Sequence, residues 1–138
     1  HAINFVQKNF EEFDVFVSLP ATSPLRNKFD VLRSIKKLKN KTDVVLTATE
    51  ANRNPSFNMV KKIKNGYYDV IMSGKRIFNR QDAPKVFDLN TVAFVTKPNF
   101  ILNCNSIFDG NVDINLVDKK RSIDIDSYYD LKIAKMLI

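Results

Sequence analysis

An α/β fold built on a mainly parallel, mixed sheet is what this sequence predicts, and three observations predict it. Two short apolar runs, residues 15–19 and 43–49, flank a segment whose apolar positions recur at helical spacing; strand, helix and strand of these lengths make a βαβ unit. The second run places Val44, Val45 and Leu46 in succession, the continuous apolar pattern of a strand covered on both faces. The chain of 138 residues, 44% hydrophobic and 27% charged, has the size and balance of one domain around one modest core.

Taken in order, the N-terminal segment with Ile3, Phe5, Val6 and Phe10 apolar predicts a short helix leading into strand 15–19. Residues 28 to about 38 predict a helix with Phe29, Leu32, Ile35 and Leu38 facing inward and lysines on the opposite side. Strand 43–49 should then run parallel to strand 15–19 through a right-handed crossover. Residues 57–63 and 67–72 predict two short strands around Asn65-Gly66, because Asn-Gly between β-prone runs is a strong hairpin signal. Such a hairpin has too little core to stand alone, so it packs either on its own sheet or on a second subunit. A polar patch, residues 79–82, precedes Pro84 and a strand at 92–95; Ser127, Tyr128 and Tyr129 open a last helix with Leu131, Ala134 and Ile138 on one face.

Three stretches carry candidate chemistry. Strand 15–19 empties into Pro20-Ala21-Thr22-Ser23-Pro24-Leu25-Arg26, where the prolines restrict the backbone. The Thr22 and Ser23 hydroxyls and the Arg26 guanidinium then suit an anionic or polyhydroxylated ligand; the plainer reading is an N-cap for the following helix. Arg80 presents a planar fork of donors for a carboxylate or phosphate, and Gln81 a donor and an acceptor for sugar hydroxyls; the plainer reading is a loop ion pair of Arg80 with Asp82. If the backbone is extended, Asp124 and Asp126 point to the same side and can share one hard cation such as Mg²⁺, which prefers oxygen ligands. The plainer reading makes Asp126 a helix N-cap.

The formal charge of +7 comes largely from Lys28, Arg33, Lys36, Lys37, Lys39 and Lys41, and from Lys61, Lys62 and Lys64. No Arg-Gly segment, zinc spacing or ribonucleoprotein-type aromatic pattern accompanies it, so attraction of anionic small molecules explains it better than nucleic acid does. The lone Cys104 has no partner cysteine and reads as a small buried thiol. No run reaches the roughly 18 to 20 apolar residues of a membrane span, and a cytoplasmic protein without membrane or nucleic-acid partners is expected.

The segment Leu19 to Arg26 resembles the L-Q-P-T-S-P-L-R stretch of the cytidylyltransferases that activate acidic nine-carbon sugars, the CMP-sialic acid synthetase family. Thr49-Glu50-Ala51-Asn52-Arg53-Asn54-Pro55 resembles that family's segment after the next strand. Arg80-Gln81-Asp82-Ala83-Pro84 with Asn90 resembles R-R-Q-D-x-P followed by N-G-A-I-Y, and Asp124-Ile125-Asp126-Ser127 with Asp130, Leu131 and Ala134 resembles D-I-D-T-x-x-D-L-x-x-A. Four collinear matches make the resemblance specific.

The resemblance implies a nucleotide-diphospho-sugar-transferase-like Rossmann-type fold and transfer of CMP from CTP to a sialic, legionaminic or related nonulosonic acid, with release of pyrophosphate. It implies Asp124 and Asp126 as the catalytic, Mg²⁺-binding pair, Arg80 and Gln81 on the sugar, and Thr22, Ser23, Arg26 and Asn90 lining the pocket. It also implies one cytidylyltransferase domain, 1–138, present in part, with an excursion at 52–85 that pairs two subunits into a homodimer.

Pro20, Ala21, Asn79 and Thr91 depart from the family pattern, which leaves the identity of the sugar open. The family's basic, Gly-containing nucleotide loop has no counterpart among residues whose only glycines are Gly66, Gly74 and Gly110. The expectation is therefore a fragment without roughly 80 to 100 N-terminal residues of such a domain, inactive by itself. A catalytically silent dimerisation or binding module derived from the same family is the alternative, and a general nucleic-acid binder a second one.

Overall fold

The computed structural model describes residues 1–74 and 77–138. In chain order its elements are α1 (Ala2–Asn9), β1 (Phe16–Ser18), α2 (Lys28–Lys37), β2 (Val44–Glu50), β3 (Val60–Lys62), β4 (Tyr68–Val70), β5 (Phe87–Thr96), α3 (Pro98–Asn103), β6 (Val112–Leu116) and α4 (Tyr128–Met136). Single 3₁₀ turns occupy Arg80–Asp82 and Lys119–Arg121. The chain divides into two compact units, one of His1–Thr49 with Leu89–Ile138 and one of Glu50–Asp88.

The first unit is a four-stranded sheet in the order β1-β5-β2-β6. Strand β1 runs antiparallel to β5, with Phe16 opposite Thr96 and Ser18 opposite Phe94. Strands β2 and β6 are parallel, Val44 opposite Val112 and Ala48 opposite Leu116. The start of β2 meets the end of β5, since Lys97 N–H donates to the Asp43 carbonyl at 3.3 Å and Ala93 N–H donates to Thr47 Oγ1 at 3.1 Å. Strand β5 therefore opposes β2 as well, and β1, β2 and β6 share one direction. The expected parallel strands do run the same way, but β5 lies between them and pairs with both. One edge of the sheet thereby collects the carboxyl ends of β1, β2 and β6 and the early part of β5.

Strand β2 fills the core: residues 44–49 are all buried, as their continuous apolar pattern predicts. Each fully buried Val or Leu contributes about 1.5–3 kcal/mol relative to exposure. Gly110 precedes β6 with no room to spare, because a Cβ there would stand against the Phe100 ring and 2.9 Å from Asp43 Cβ.

Helix α2 departs from its predicted face. Phe29 and Leu32, expected inward, are 54% and 49% exposed, while Asp30 and Ser34 are buried. The reason is polar packing: Asn115 Nδ2, on β6, donates to the Asp30 carbonyl at 2.9 Å and to Ser34 Oγ at 3.0 Å. The helix is capped by Asn27, not by Thr22 or Ser23. Asp30 N–H donates to Asn27 Oδ1 at 3.0 Å and Asn27 N–H to Asp30 Oδ2 at 3.1 Å, a reciprocal capping box. Helix α4 is capped in the same way by Ser127 and Asp130, so Asp126 is not the N-cap. It ends at Met136, leaving Ile138 beyond the helix and exposed. Helix α3 and strand β6 carried no strong sequence signal.

The second unit holds the predicted hairpin. Strands β3 and β4 are antiparallel with Val60 opposite Val70 and Lys62 opposite Tyr68. Gly66 sits at the turn with φ +88°, a conformation that glycine adopts without steric penalty. The first strand is shorter than the expected 57–63 because the Asn54 carbonyl accepts from the N–H groups of Phe57, Asn58 and Met59, which curls those residues into a turn. Residues 75 and 76, inside the expected 52–85 excursion, lie outside the described residues.

Candidate functional site

The sequence-predicted residues fall in two places, and each has its own local logic. In the sheet unit, the loop after β1 is held by Arg26. Its Nε donates to the Ser23 carbonyl at 3.0 Å, Nη1 to the Val92 carbonyl at 3.1 Å, and Nη2 to the Pro20 carbonyl. Three donors spent on backbone carbonyls make Arg26 a staple of the loop in this structure. Ser23 is fully buried and its hydroxyl pairs with that of Thr91 at 2.6 Å; Thr22 is exposed. Ser23 thus joins the β1 loop to β5 beside Asn90.

Asn90 is half-buried. Its carbonyl accepts from Thr47 Oγ1 at 3.2 Å and its Oδ1 accepts from Val92 N–H at 3.3 Å, which fixes the amide plane. Its Nδ2 is buried with no hydrogen-bond partner among the described residues. Such a donor is costly to leave unmade, and a ligand oxygen would satisfy it.

The loop after β6 carries the two carboxylates. Val117 N–H donates to the Ala48 carbonyl at 2.8 Å and Ile125 N–H to the Thr22 carbonyl at 2.9 Å. Asp124, next to that second bond, is half-buried, and its Oδ1 is sealed from solvent with no hydrogen-bond partner among the described residues. Asp126 is exposed. An orphaned, buried carboxylate oxygen fits a hard cation, which takes oxygen ligands and would replace the missing hydrogen bond. Among the described residues no cluster of three or more His, Cys, Asp or Glu forms a complete protein cage.

Downstream, Asp130 is held below its ordinary carboxylate range, chiefly by the Ser127 hydroxyl and then by backbone N–H groups. Upstream, Arg121 is pushed further up by its hydrogen bonds to Asp30, helped by the charges of Asp30 and Asp118.

In the hairpin unit, a cavity of about 210 Å³ is lined by Asn52, Arg53, Asn54, Arg80, Lys85 and Phe87 among others. Asn54 organises it, donating from Nδ2 to the Pro84 carbonyl at 2.7 Å and accepting at Oδ1 from Ser56 N–H at 2.9 Å. Arg80 Nη2 donates to the Asn52 carbonyl at 3.3 Å, while Asp82 accepts from Asn79 Nδ2 at 3.1 Å, so the alternative Arg80–Asp82 ion pair is not formed. Three cations, Arg53, Arg80 and Lys85, against the single acid Glu50 give the cavity wall a positive balance. Gln81 is exposed in the same 3₁₀ turn and does not line the cavity.

Sequence reasoning missed Thr91, Arg53 and Lys85, and it missed the ion pair between Asp30 and Arg121. The signal for Asp30 was present, since Asn27-x-x-Asp30 is a capping-box spacing. Its link to Arg121, 91 positions away, has no local signature.

No family model matches the chain. It is 33% identical over 128 residues to the post-translational flagellin modification protein B of Campylobacter coli, covering 92% of this chain and 54% of that protein. It is 38% identical over 95 residues to the CMP-N,N'-diacetyllegionaminic acid synthase of Campylobacter jejuni, covering 68% of this chain and 39% of that one. The chain thus spans about half the length, or less, of these curated relatives.

Among solved structures, the 4-diphosphocytidyl-2C-methyl-D-erythritol synthase of Anaerococcus prevotii matches with a TM-score of 0.65 at 15% identity, over 98% of this chain and 63% of that one. A CMP:2-keto-3-deoxy-manno-octonic acid synthetase complexed with CTP matches with a TM-score of 0.61 at 13% identity, over 98% and 66%. These two likenesses show a Rossmann-like fold, shared over part of the length of those two chains. Together with the curated relatives, the mixed sheet and its loop edge are consistent with the CMP-sialic acid synthetase-like family, whose members the chain matches over part of their length.

Proposed function

We propose that these residues supply the sugar and cation side of a nucleotidyltransferase that joins an acidic nine-carbon sugar to CMP. In the reaction, the anomeric hydroxyl oxygen of a sialic, legionaminic or related nonulosonic acid bonds to the α-phosphorus of CTP. The bond from that phosphorus to the bridging oxygen breaks, pyrophosphate leaves, and the hydroxyl proton passes to solvent or a base. Catalysis of this kind rests on in-line positioning and on offsetting charge. The observation that carries the reading is the sealed, unpartnered Oδ1 of Asp124 at the loop edge of the sheet, in a chain 38% identical to a CMP-sugar synthase.

Asp124 and Asp126 would hold Mg²⁺, whose positive charge, when bound, offsets that of the phosphate oxygens. Asn90 offers its free Nδ2 to substrate, and Ser23, Thr22 and Arg26 shape the loop beside it. Arg80, with Arg53 and Lys85 on the same cavity wall, suits the sugar carboxylate, a planar anion that a guanidinium binds through two parallel bonds; Gln81 suits its hydroxyls. The hairpin unit exposes Val60, Tyr67, Tyr68, Met72 and Phe78. So much apolar surface on so small a unit supports pairing with a second copy. With no Gly-rich phosphate loop in these 138 residues, the proposal assigns them no turnover by themselves.

The test is a fusion that places a Gly-rich, Lys-bearing nucleotide segment from a relative ahead of His1. With CTP, Mg²⁺ and N,N'-diacetyllegionaminic acid or sialic acid it should release pyrophosphate and form CMP-sugar. Asp124→Asn should lower that rate by about 10²-fold, the size of effect seen when one electrostatic stabiliser is removed. Turnover that is indifferent to Asp124 would overturn the reading. A dimer that binds neither CTP nor sugar would favour the silent module instead.

A further inference from the structure

The buried face of α2 holds an ion pair that the proposed chemistry does not use directly. Asp30 is 1% exposed. Its carboxylate accepts from Arg121 Nε at 2.9 Å on Oδ2 and from Arg121 Nη2 at 3.0 Å on Oδ1, the parallel two-bond geometry that guanidinium and carboxylate favour. Oδ2 also accepts from Asn27 N–H at 3.1 Å. The backbone of the same residue is engaged as well, its carbonyl accepting from Asn115 Nδ2 and from Ser34 Oγ, each at 2.9 Å. Asp30 is therefore locked by its own helix cap, by β6 and by Arg121.

Arg121 lies three residues before Asp124. The loop that leaves β6 is tied down at Val117, by its N–H to the Ala48 carbonyl, and again at Ile125, by its N–H to the Thr22 carbonyl. Those ties bracket residues 118–124, and the Asp30–Arg121 pair is the side-chain tether inside that stretch to α2. A half-buried carboxylate whose Oδ1 must meet a cation needs a fixed backbone, because positional errors near 1 Å at a reacting centre lower rates steeply.

We infer that Arg121, anchored on Asp30, is a positioning residue that holds the 118–125 loop so that Asp124 presents its sealed oxygen to a divalent cation. The pair does not touch the substrate. It acts by holding the loop, and partners that orient metal ligands typically affect affinity by about 10–100-fold. A lysine at 121 keeps the charge but gives up the fork, so charge alone would not restore the position.

This inference rests on the assignment of Asp124 to the cation, and the experiment separates the two. Amide hydrogen exchange is measured on the 138-residue chain for wild type, Arg121→Gln and Arg121→Lys, followed by titration with Mn²⁺ read through paramagnetic broadening of the amides of residues 124–126. Arg121→Gln should speed exchange at Ile125 by at least about tenfold and weaken Mn²⁺ binding by a similar factor, the lower end of that range. In Arg121→Lys, which leaves Asp30 a cationic partner, Val45 and Leu46 exchange should stay as in wild type. Arg121→Lys should fall between the two, and it carries the test if Arg121→Gln fails to fold.

Unchanged Ile125 exchange and unchanged Mn²⁺ affinity in both variants would overturn the inference. Faster exchange at Ile125 with Mn²⁺ affinity intact would overturn the step from loop to cation. An Asp124→Asn chain that binds Mn²⁺ as well as wild type, with Ile125 still responding to position 121, would sink the cation assignment and leave the tether standing.

Discussion

The sheet unit and the hairpin unit solve the same problem, fixing loops that bear polar side chains, by opposite means. In the sheet unit the loops are fastened from within. Ser23, Asp30, Ser34, Thr47 and Asn115 are buried, and their long-range bonds reach across 43 to 91 positions of sequence. In the hairpin unit the spans are shorter, from Asn54 gathering the N–H groups of the next turn and the Asn65-Gly66 reversal to the Asn54–Pro84 and Arg80–Asn52 bonds across 30 and 28 positions, while large apolar side chains remain outside, Tyr67 72% and Phe78 80% exposed. One region therefore owes its shape to long-range burial and the other to turn chemistry. Substitutions should separate the two.

The largest effect belongs to the sheet core. Leu46→Ala removes a fully buried side chain and should destabilise the protein by about 2–5 kcal/mol, read as a lowered urea midpoint. Tyr68→Ala, on an exposed hairpin position, should stay within roughly 0.5 kcal/mol in the same assay. Equal effects would end the contrast. Gly110→Ala comes next: its new methyl meets the Phe100 ring and Asp43 Cβ, and overpacking of this kind costs about 1–3 kcal/mol, measurable as a drop in Tm.

In the hairpin the sensitive position is Gly66. Alanine there must adopt φ +88°, at roughly 1 kcal/mol. The loss should appear as faster amide exchange at Ile63, whose N–H donates to the Tyr67 carbonyl at 2.9 Å, with the β2 amides unaffected. A global loss of protection would show the hairpin to be less local than its bonds imply.

The smallest effect sharpens the helix end beside the carboxylates. Ser127→Ala removes the cap of α4, for about 1 kcal/mol. It also removes the main cause of the low Asp130 pKa. Because the folded value lies below the unfolded one, the stabilisation is fully present above the unfolded pKa and is lost as pH falls through the folded pKa. Protection factors in α4, taken relative to intrinsic exchange at each pH, should thus fall in acid for wild type, and the fall should be smaller in Ser127→Ala. Identical acid profiles would remove Asp130 from the cap.

Much of the fold was legible because its signals are local. Val44, Val45 and Leu46 announced a strand covered on both faces, Asn65-Gly66 a hairpin, and Ser127-x-x-Asp130 a capped helix, although the sequence reading put the cap one residue early. The face of α2 was misread for a physical reason. Three-residue apolar spacing pointed Phe29 and Leu32 inward, but a carboxylate paired through two bonds with Arg121 and a hydroxyl bonded to Asn115 have their hydrogen-bonding needs met inside, and they took the inner face. In the candidate site, Asn90 and Asp124 were legible only through motif resemblance; that each keeps one sealed, unpartnered atom is a property of packing. Arg26, read as a ligand-facing cation, points its donors at three carbonyls, two of them within its own loop.

By itself the sequence determined the α/β class, the hairpin, helices α1, α2 and α4 and the order of the motif residues, since periodicity, turn chemistry and capping act over a few neighbouring positions. Only the tertiary structure decided that β5 enters between β1 and β2, that Asp30 answers Arg121, and that Thr22 meets Ile125. Those pairings join segments tens of residues apart, and what selects them is the satisfaction of buried polar groups when the whole sheet closes.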